Sequence, residues 1–342
     1  MSTQPQPQSI PPHAALLQMT WIAPLLAFAI SHLARLRIPD LLKAGPKPAD
    51  ELARELGANP DALYRLMRAT AAAGVLAEDP DGRFSQTPMS DLLRSDAVPS
   101  FRAMAMMMTE EWQLRGCERL DYCVRTGKVT PELVYGKPIF EYFRENPEEA
   151  ANFNAAMTSM SSVESPAVAE AYDFDGIGSI VDVGGGHGLL LATILARYPG
   201  MKGTLYDRPD VIEGAKSGPL ASVIDRCTFV GGDMFASVPA AADAYIMKYI
   251  IHDWPDDLCR KILQACRDGV NPGGKLLVVD CVIKPSNEVD WGKVLDLEML
   301  MFPGGRERTE EQFRKLLASA GWRLNRIIPT HCPLSIIEGV KA

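Results

Sequence analysis

Metal, nucleic-acid and membrane signatures are scarce in this chain. Its five histidines (His13, His32, His187, His252, His331) are scattered, and its seven cysteines form no C-x-x-C pair and no short His/Cys cluster. That spacing offers no zinc framework, so no metal is expected. An odd number of cysteines without a secretory leader reads as reduced thiols, not disulfides. Positive charge is also short. Lys and Arg number 35 against 43 Asp and Glu, a formal charge of -8. Phosphate neutralisation needs clustered basic residues, so nucleic acid is not an expected partner.

Long apolar runs are missing as well. The run MTWIAPLLAFAIS (19–31) falls short of the roughly 20 residues that cross a bilayer. It contains Pro24, and the first Lys or Arg, Arg35, follows it instead of preceding it. It reads as a buried or interface helix of a cytoplasmic protein with no membrane association. Residues 1–12, rich in Gln, Pro and Ser, read as a disordered tail.

What is present is size and patterning. At 342 residues, 47% of them hydrophobic, the chain exceeds the usual single core and suggests more than one domain. Residues 13–95 read as mainly helical with a small wing. ADELAREL (49–56) is a short amphipathic helix ended by Gly57. Asn59 caps a second helix with Pro60 in its first turn, and Gly74 closes it. Two short strands, 75–77 and 84–87, flank the turn DPDG (79–82). Helix, turn, helix and wing is also the layout of DNA-binding regulators. The second helix carries Arg65 and Arg68 but also Asp61, in an acidic chain, so a dimerisation or lid module is the better reading. Residues 96–172 read as a helical linker rich in methionine, a residue suited to irregular apolar space.

From about 178 the pattern is strand–helix alternation. Strands are expected at 179–184, 203–207, 227–233, 243–250 and 275–283, and helices at 188–199, 256–270 and 309–322. This implies an α/β, doubly wound, Rossmann-like domain with a parallel sheet. DVGGGHG (182–188) joins the first strand to its helix, where glycine lets the backbone turn tightly and approach a ligand. Roughly 20 residues on, Asp207 ends the next strand, where a carboxylate can accept both ribose hydroxyls. After the third strand, Asp233 can accept an adenine amino group while Met234 or Phe235 packs on the ring. A pyrophosphate favours a helix N-terminus; this acid-lined series suits a cationic sulfonium. KYIIHDWPDD (248–257) ends the fourth strand, on the ligand side of an open sheet, which places His252 as a base.

These motifs, with NPGGKLLVVD (271–280) and GGRERT (304–309), resemble the class I small-molecule O-methyltransferases of the plant caffeate and isoflavone type, and more closely their bacterial relatives in polyketide and pigment tailoring. The resemblance spans nearly the whole chain and implies S-adenosyl-L-methionine as cofactor. It assigns 13–95 to a winged-helix-like dimerisation domain, 96–172 to the substrate-pocket region and 173–342 to the methyltransferase domain, in a homodimer acting on a small aromatic acceptor. By position it implies Gly184, Asp207, Asp233, Met234 and Lys248 around the cofactor. It makes His252 the catalytic base, with Asp280 and Glu307 as flanking acids. Phe153 and Met157 in NFNAAM (152–157) fall at acceptor-pocket positions, and Asp253 beside the base joins them. The first flanking acid is often Glu in this family, so Asp280 is one methylene shorter. The stretch DLEMLMFPGGRE (296–307) is one residue shorter than the plant form, which unsettles the plant pocket contacts at 298–302. Two other outcomes share the motifs or the layout. One keeps the fold but methylates carbon or nitrogen, hydroxylates or decarboxylates. The other is a winged-helix regulator that senses a ligand.

Overall fold

The structure is a computed structural model and describes residues 10–216 and 218–342. Most of the expected tail therefore lies outside the described residues. The chain divides into two compact units. One holds the residues up to Leu114 together with Ala151–Ser159; the other holds Arg115–Ala150 and Met160–Ala342.

In the first unit, helices at Ala49–Leu56 and Pro60–Ala72 form where capping chemistry places them. The Asn59 side chain accepts the Ala62 amide proton, Pro60 occupies the first turn, and Gly74 has φ +77°. The wing is a three-stranded antiparallel sheet ordered Lys47–Pro48, Arg83–Gln86, Leu76–Glu78. Leu33, Ile38, Leu52, Met67, Leu76 and Phe84 form the core beneath it. Arg65 pairs with Asp61, and Arg68 lies over the Tyr64 ring. Both arginines of the second helix are thus engaged on its own surface.

The N-terminal apolar run differs from its sequence reading. Helical structure extends from Pro12 to Arg35, 24 residues, with a wider π-type turn at Gln18–Ile22. Pro24 has no amide proton for the carbonyl four residues back, and the turn widens just before it. By length and composition alone this segment is long and apolar enough to cross a membrane. Nor is its first part, up to Ile30, buried in this chain. Leu17, Trp21, Leu25 and Phe28 recur at helical spacing and all are exposed, Trp21 by 66%.

The second unit carries an eight-stranded sheet. Its main strands are β1 (Ser179–Val183), β2 (Lys202–Asp207), β3 (Cys227–Gly231), β4 (Ala242–Lys248), β5 (Val270–Ile283), β6 (Trp322–Pro329) and β7 (Leu334–Lys341). They lie in the order β6-β7-β5-β4-β1-β2-β3, and Arg308–Thr309 pairs the end of β5. β5 shows why both faces are covered. Leu276 and Val278 point into one core with Ile262 and Trp322, while Leu277 and Val279 point into the other with Leu191 and Ile246.

Two features depart from the expected parallel sheet. β7 runs antiparallel to β5, and β6 antiparallel to β7. Residues 330–333 join them directly, because an antiparallel pair needs no crossover helix. A further helix, Trp291–Met301, is capped by the Asp290 side chain, which accepts the Gly292 amide proton. The direction of the chain reverses laterally between β1 and β4. In doubly wound sheets, ligands bind at the carboxyl ends of the strands at such a point.

Candidate active site

Three acids stand at the ends of β1, β2 and β3. Asp182 is buried in β1, with Oδ2 lacking any side-chain or backbone partner among the described residues. Burial pushes its carboxyl up to about 7, opposed by the Lys248 charge. After β1 the chain turns through Gly184 at φ +68°, where an added Cβ would lie 2.4 Å from Ile250 Cδ1. Only glycine fits there. Asp207 accepts the Gly186 amide proton at 2.8 Å and that of Arg208 at 2.7 Å, and burial raises its carboxyl. The glycine loop and the ribose-position acid are thus locked together. Asp233 is exposed and accepts the Phe235 amide proton; Met234 beside it is half-buried against the core. A buried carboxylate with one oxygen unpaired among the described residues, a glycine cradle and a following series of acids fit a cationic adenosyl cofactor. Asp182 was not singled out in the sequence. Its signal was available, as a lone acid inside the apolar run SIVDV.

Lys248 ends β4. Its Nζ lies 3.1 Å from Glu164 Oε2, and Glu164 is only 2% exposed on the long helix Pro147–Ala171. Tyr249 follows with φ +57°, and then a single tight turn, Ile251–Asp253, presents His252. His252 is buried, and its Nδ1 lies 2.6 Å from Glu307 Oε1. Its Nε2 lies 3.5 Å from Asp253 Oδ1. Asp280 Oδ1 accepts the Tyr249 amide proton at 3.1 Å, and its Oδ2 is buried without a partner among the described residues. The short Asp280 therefore ties down the backbone ahead of the histidine. Burial pushes Glu307 up to about 8, with Asp296 adding to it and Arg308 opposing. Asp280 is pushed up to about 7 and Asp253 to about 6, again by burial first, with His252 opposing in both.

The turn holding His252 is gripped from GGRERT. The Arg306 amide donates to the His252 carbonyl at 2.8 Å. A Cβ on Gly305 would come within 1.9 Å of that same oxygen. Arg308, 1% exposed, donates to the carbonyls of Ile251 and Trp254 and to Asp256 Oδ1. Residues 252, 253, 280 and 307 thus meet in one place, as do 182, 184 and 207. Phe153 and Met157 belong to the segment 151–159 of the first unit, where Phe153 meets Trp112 edge-on with ring centroids 6.2 Å apart. Glu164, Tyr249 and Arg308 had no role in the sequence reading.

A doubly wound sheet with a glycine turn after β1, acids ending β1 and β2, and a buried histidine after β4 defines a Rossmann-like methyltransferase. The O-methyltransferase domain family matches residues 118–323, and the O-methyltransferase dimerisation domain matches residues 25–96. The chain belongs to this O-methyltransferase family, whose cofactor is S-adenosyl-L-methionine. It is 40% identical over 334 residues to phenazine O-methyltransferase PhzM of Lysobacter antibioticus, covering 96% of each chain. It is 36% identical to the mitomycin biosynthesis 6-O-methyltransferase of Streptomyces lavendulae, covering 94% of this chain and 92% of that one. The structure of human N-acetylserotonin methyltransferase in complex with SAM matches with a TM-score of 0.89 at 26% identity, covering 98% of this chain and 100% of that one.

Proposed function

We propose that this O-methyltransferase methylates a phenolic or enolic hydroxyl of a small aromatic or polyketide-like metabolite, with His252 as general base, in the tailoring of a secondary metabolite. The observation that carries this reading is the buried 2.6 Å contact between His252 Nδ1 and Glu307 Oε1. An Nδ1–H donated to Glu307 leaves Nε2 as the acceptor facing away from that acid. A phenol has a pKa of about 10, so it is mostly protonated near neutral pH and benefits from a base. His252 Nε2 takes the phenolic proton as the oxygen attacks. Glu307 then stabilises the imidazolium, and Asp280 holds the preceding backbone.

S-adenosylmethionine, when bound, supplies a methyl group on a sulfonium, an electrophile that needs no further activation. Asp207 holds its ribose, Asp233 and Met234 its adenine, and Gly184 with Lys248 its methionyl end. Phe153 and Met157 contact the acceptor, as the family resemblance implies, and Asp253 stands beside the base. The protein's main contribution is alignment and exclusion of water. The domains divide at 13–95, 96–172 and 173–342. The exposed apolar face of residues 12–35 meets a second copy of the chain in a cytoplasmic homodimer.

A pH–rate series on His252→Ala tests the base. Turnover should fall by about 10²–10⁴-fold near neutral pH, with cofactor affinity nearly intact. The deficit should shrink towards the phenol's own pKa. Wild-type turnover at neutral pH would reject His252 as the base. Light scattering checks the dimer, and a species near the chain mass of 37.4 kDa at micromolar concentration would count against it.

A further inference from the structure

We propose that Tyr249 is a positioning residue for the His252 imidazole, anchored through its hydroxyl to the buried carboxylate of Glu164. The proposal rests on the reading of His252 as the base. The Nδ1 contact to Glu307 fixes one point of the imidazole. A ring held by one hydrogen bond can still rock about that bond, which swings Nε2 away from the acceptor. A flat surface against the ring face removes this freedom. Tyr249 supplies it: its ring lies 4.9 Å from the imidazole, centroid to centroid, with 25° between the planes.

The tyrosine is itself over-determined. Its backbone sits in the left-handed region at φ +57°, uncommon for a bulky residue. Such a conformation persists where surroundings enforce it, and it concentrates at functional sites. Here the Tyr249 amide donates to the Val279 carbonyl and to Asp280 Oδ1, both at 3.1 Å. The hydroxyl donates to Glu164 Oε1 at 2.7 Å, and Lys248 Nζ lies 4.5 Å above the ring. Burial, with Glu164 adding to it, holds the phenol well above the usual tyrosine range, so it stays a donor.

Glu164 needs an explanation of its own. Its helix neighbours Ser165, Val168 and Ala169 are buried, and a buried carboxylate is costly unless it is paired. Its two oxygens are used by Tyr249 and Lys248. The pair thus ties the long helix to the residue on which the imidazole rests. When His252 takes a proton, the same ring face attracts the imidazolium. Tyr249 then acts on orientation and on the charged form together.

The test uses the full-length protein with isotope-labelled histidine, whose five residues keep the spectrum assignable. The variants are Tyr249→Phe, Tyr249→Trp, Tyr249→Leu and His252→Ala. The stacked ring should shield the His252 ring proton. That shielding should be lost in Tyr249→Leu and retained in part in Tyr249→Phe and Tyr249→Trp. Turnover is followed with labelled S-adenosylmethionine and the phenolic acceptor that wild type methylates fastest. In Tyr249→Leu, kcat should fall by about 10²-fold, the scale of an ångström's misplacement, while KM for both substrates stays within about threefold. Tyr249→Phe, which keeps the ring and loses the anchor, should lose less, and Tyr249→Trp should restore part of the loss. Wild-type kcat in Tyr249→Leu overturns the proposal. So does a kcat loss with the His252 resonance unmoved, or a loss carried by KM. Should Tyr249→Leu fail to fold, Tyr249→Phe and Tyr249→Trp carry the same two readouts. If His252→Ala turns over like wild type, the base reading has failed. If His252→Ala is crippled while the Tyr249 variants are not, only the positioning role has failed.

Discussion

Replacing Glu307 by Gln changes one buried atom and should cost far more than its size suggests. Glu307 Oε1 lies 2.6 Å from His252 Nδ1, its Oε2 is buried with no side-chain or backbone partner among the described residues, and its own amide is tied to Asp296 Oδ1 at 2.7 Å. Two losses follow. The first is charge. A hydrogen bond to an ionised partner contributes about 1.5–3 kcal/mol and a neutral one about 0.5–1.5. The imidazolium formed on proton abstraction therefore loses about 1–1.5 kcal/mol, near tenfold in rate.

The second loss is the tautomer. Gln can face Nδ1 with its carbonyl or with its amide. Facing with the carbonyl buries an amide group with no acceptor, which costs about 1–3 kcal/mol. Facing with the amide makes Nδ1 the acceptor and moves the ring proton to Nε2, which then cannot act as a base. The buried surroundings favour this second arrangement. The two losses multiply where Glu307 is ionised, so kcat above about pH 8 should fall by about 10²-fold or more. Cofactor affinity by calorimetry should stay within about threefold of wild type, since Asp182, Asp207 and Gly184 are untouched. Nitrogen-15 shifts of His252 report the tautomer directly. A folded Glu307→Gln protein with kcat within about threefold of wild type, and with the proton still on Nδ1, would refute the reasoning.

Asp207→Ala removes the carboxylate that accepts the Gly186 and Arg208 amides; S-adenosylmethionine affinity should drop at least about tenfold, and unchanged calorimetric affinity would remove Asp207 from the cofactor site. Arg308→Met removes the guanidinium from the Ile251 and Trp254 carbonyls and leaves the weaker Cys259 thiol as their donor. Stability in urea should fall by about 2–5 kcal/mol and kcat with it, and a change below about 0.5 kcal/mol would show that the grip on the His252 turn is unimportant. The buried acids set a pH trend. Asp182, Asp253, Asp280 and Glu307 are all raised, to about 7, 6, 7 and 8, from about 4 in an unfolded chain. Across that interval the folded state holds more protons than the unfolded one, so unfolding free energy falls as pH rises. The thermal midpoint of the cofactor-free protein should decline from pH 5 to pH 8. A midpoint that is flat or rises over that range would contradict burial as the cause of the raised values.

Much of the architecture was legible in one dimension because its signals are local. Asn59 with Pro60, the continuous apolar run around Leu276–Cys281 and the glycines after Val183 each act within a few residues, and each formed the element they imply. The two terminal strands were also patterned, with Trp322 and Leu324 buried and Arg323 exposed. Reading a repeating strand–helix unit nonetheless hid an antiparallel hairpin at its end. The N-terminal helix was underestimated because its apolar run was counted from residue 19, whereas helical structure begins at Pro12.

Composition and motif spacing by themselves determined the fold class, the cofactor class and His252 as a candidate base, since each depends on residue type at the end of a recognisable strand. Only the tertiary structure decided which acid meets that base. Glu307 lies 55 residues away in the chain and makes the imidazole contact, whereas Asp280, nearer in sequence, binds the Tyr249 backbone. Tertiary structure alone also brought Glu164 against Lys248 and Tyr249, and Arg308 onto the carbonyls around His252. Those partners are chosen by burial. A charge removed from water must find its counterpart wherever the packing of distant segments leaves one, and no local pattern records where that is.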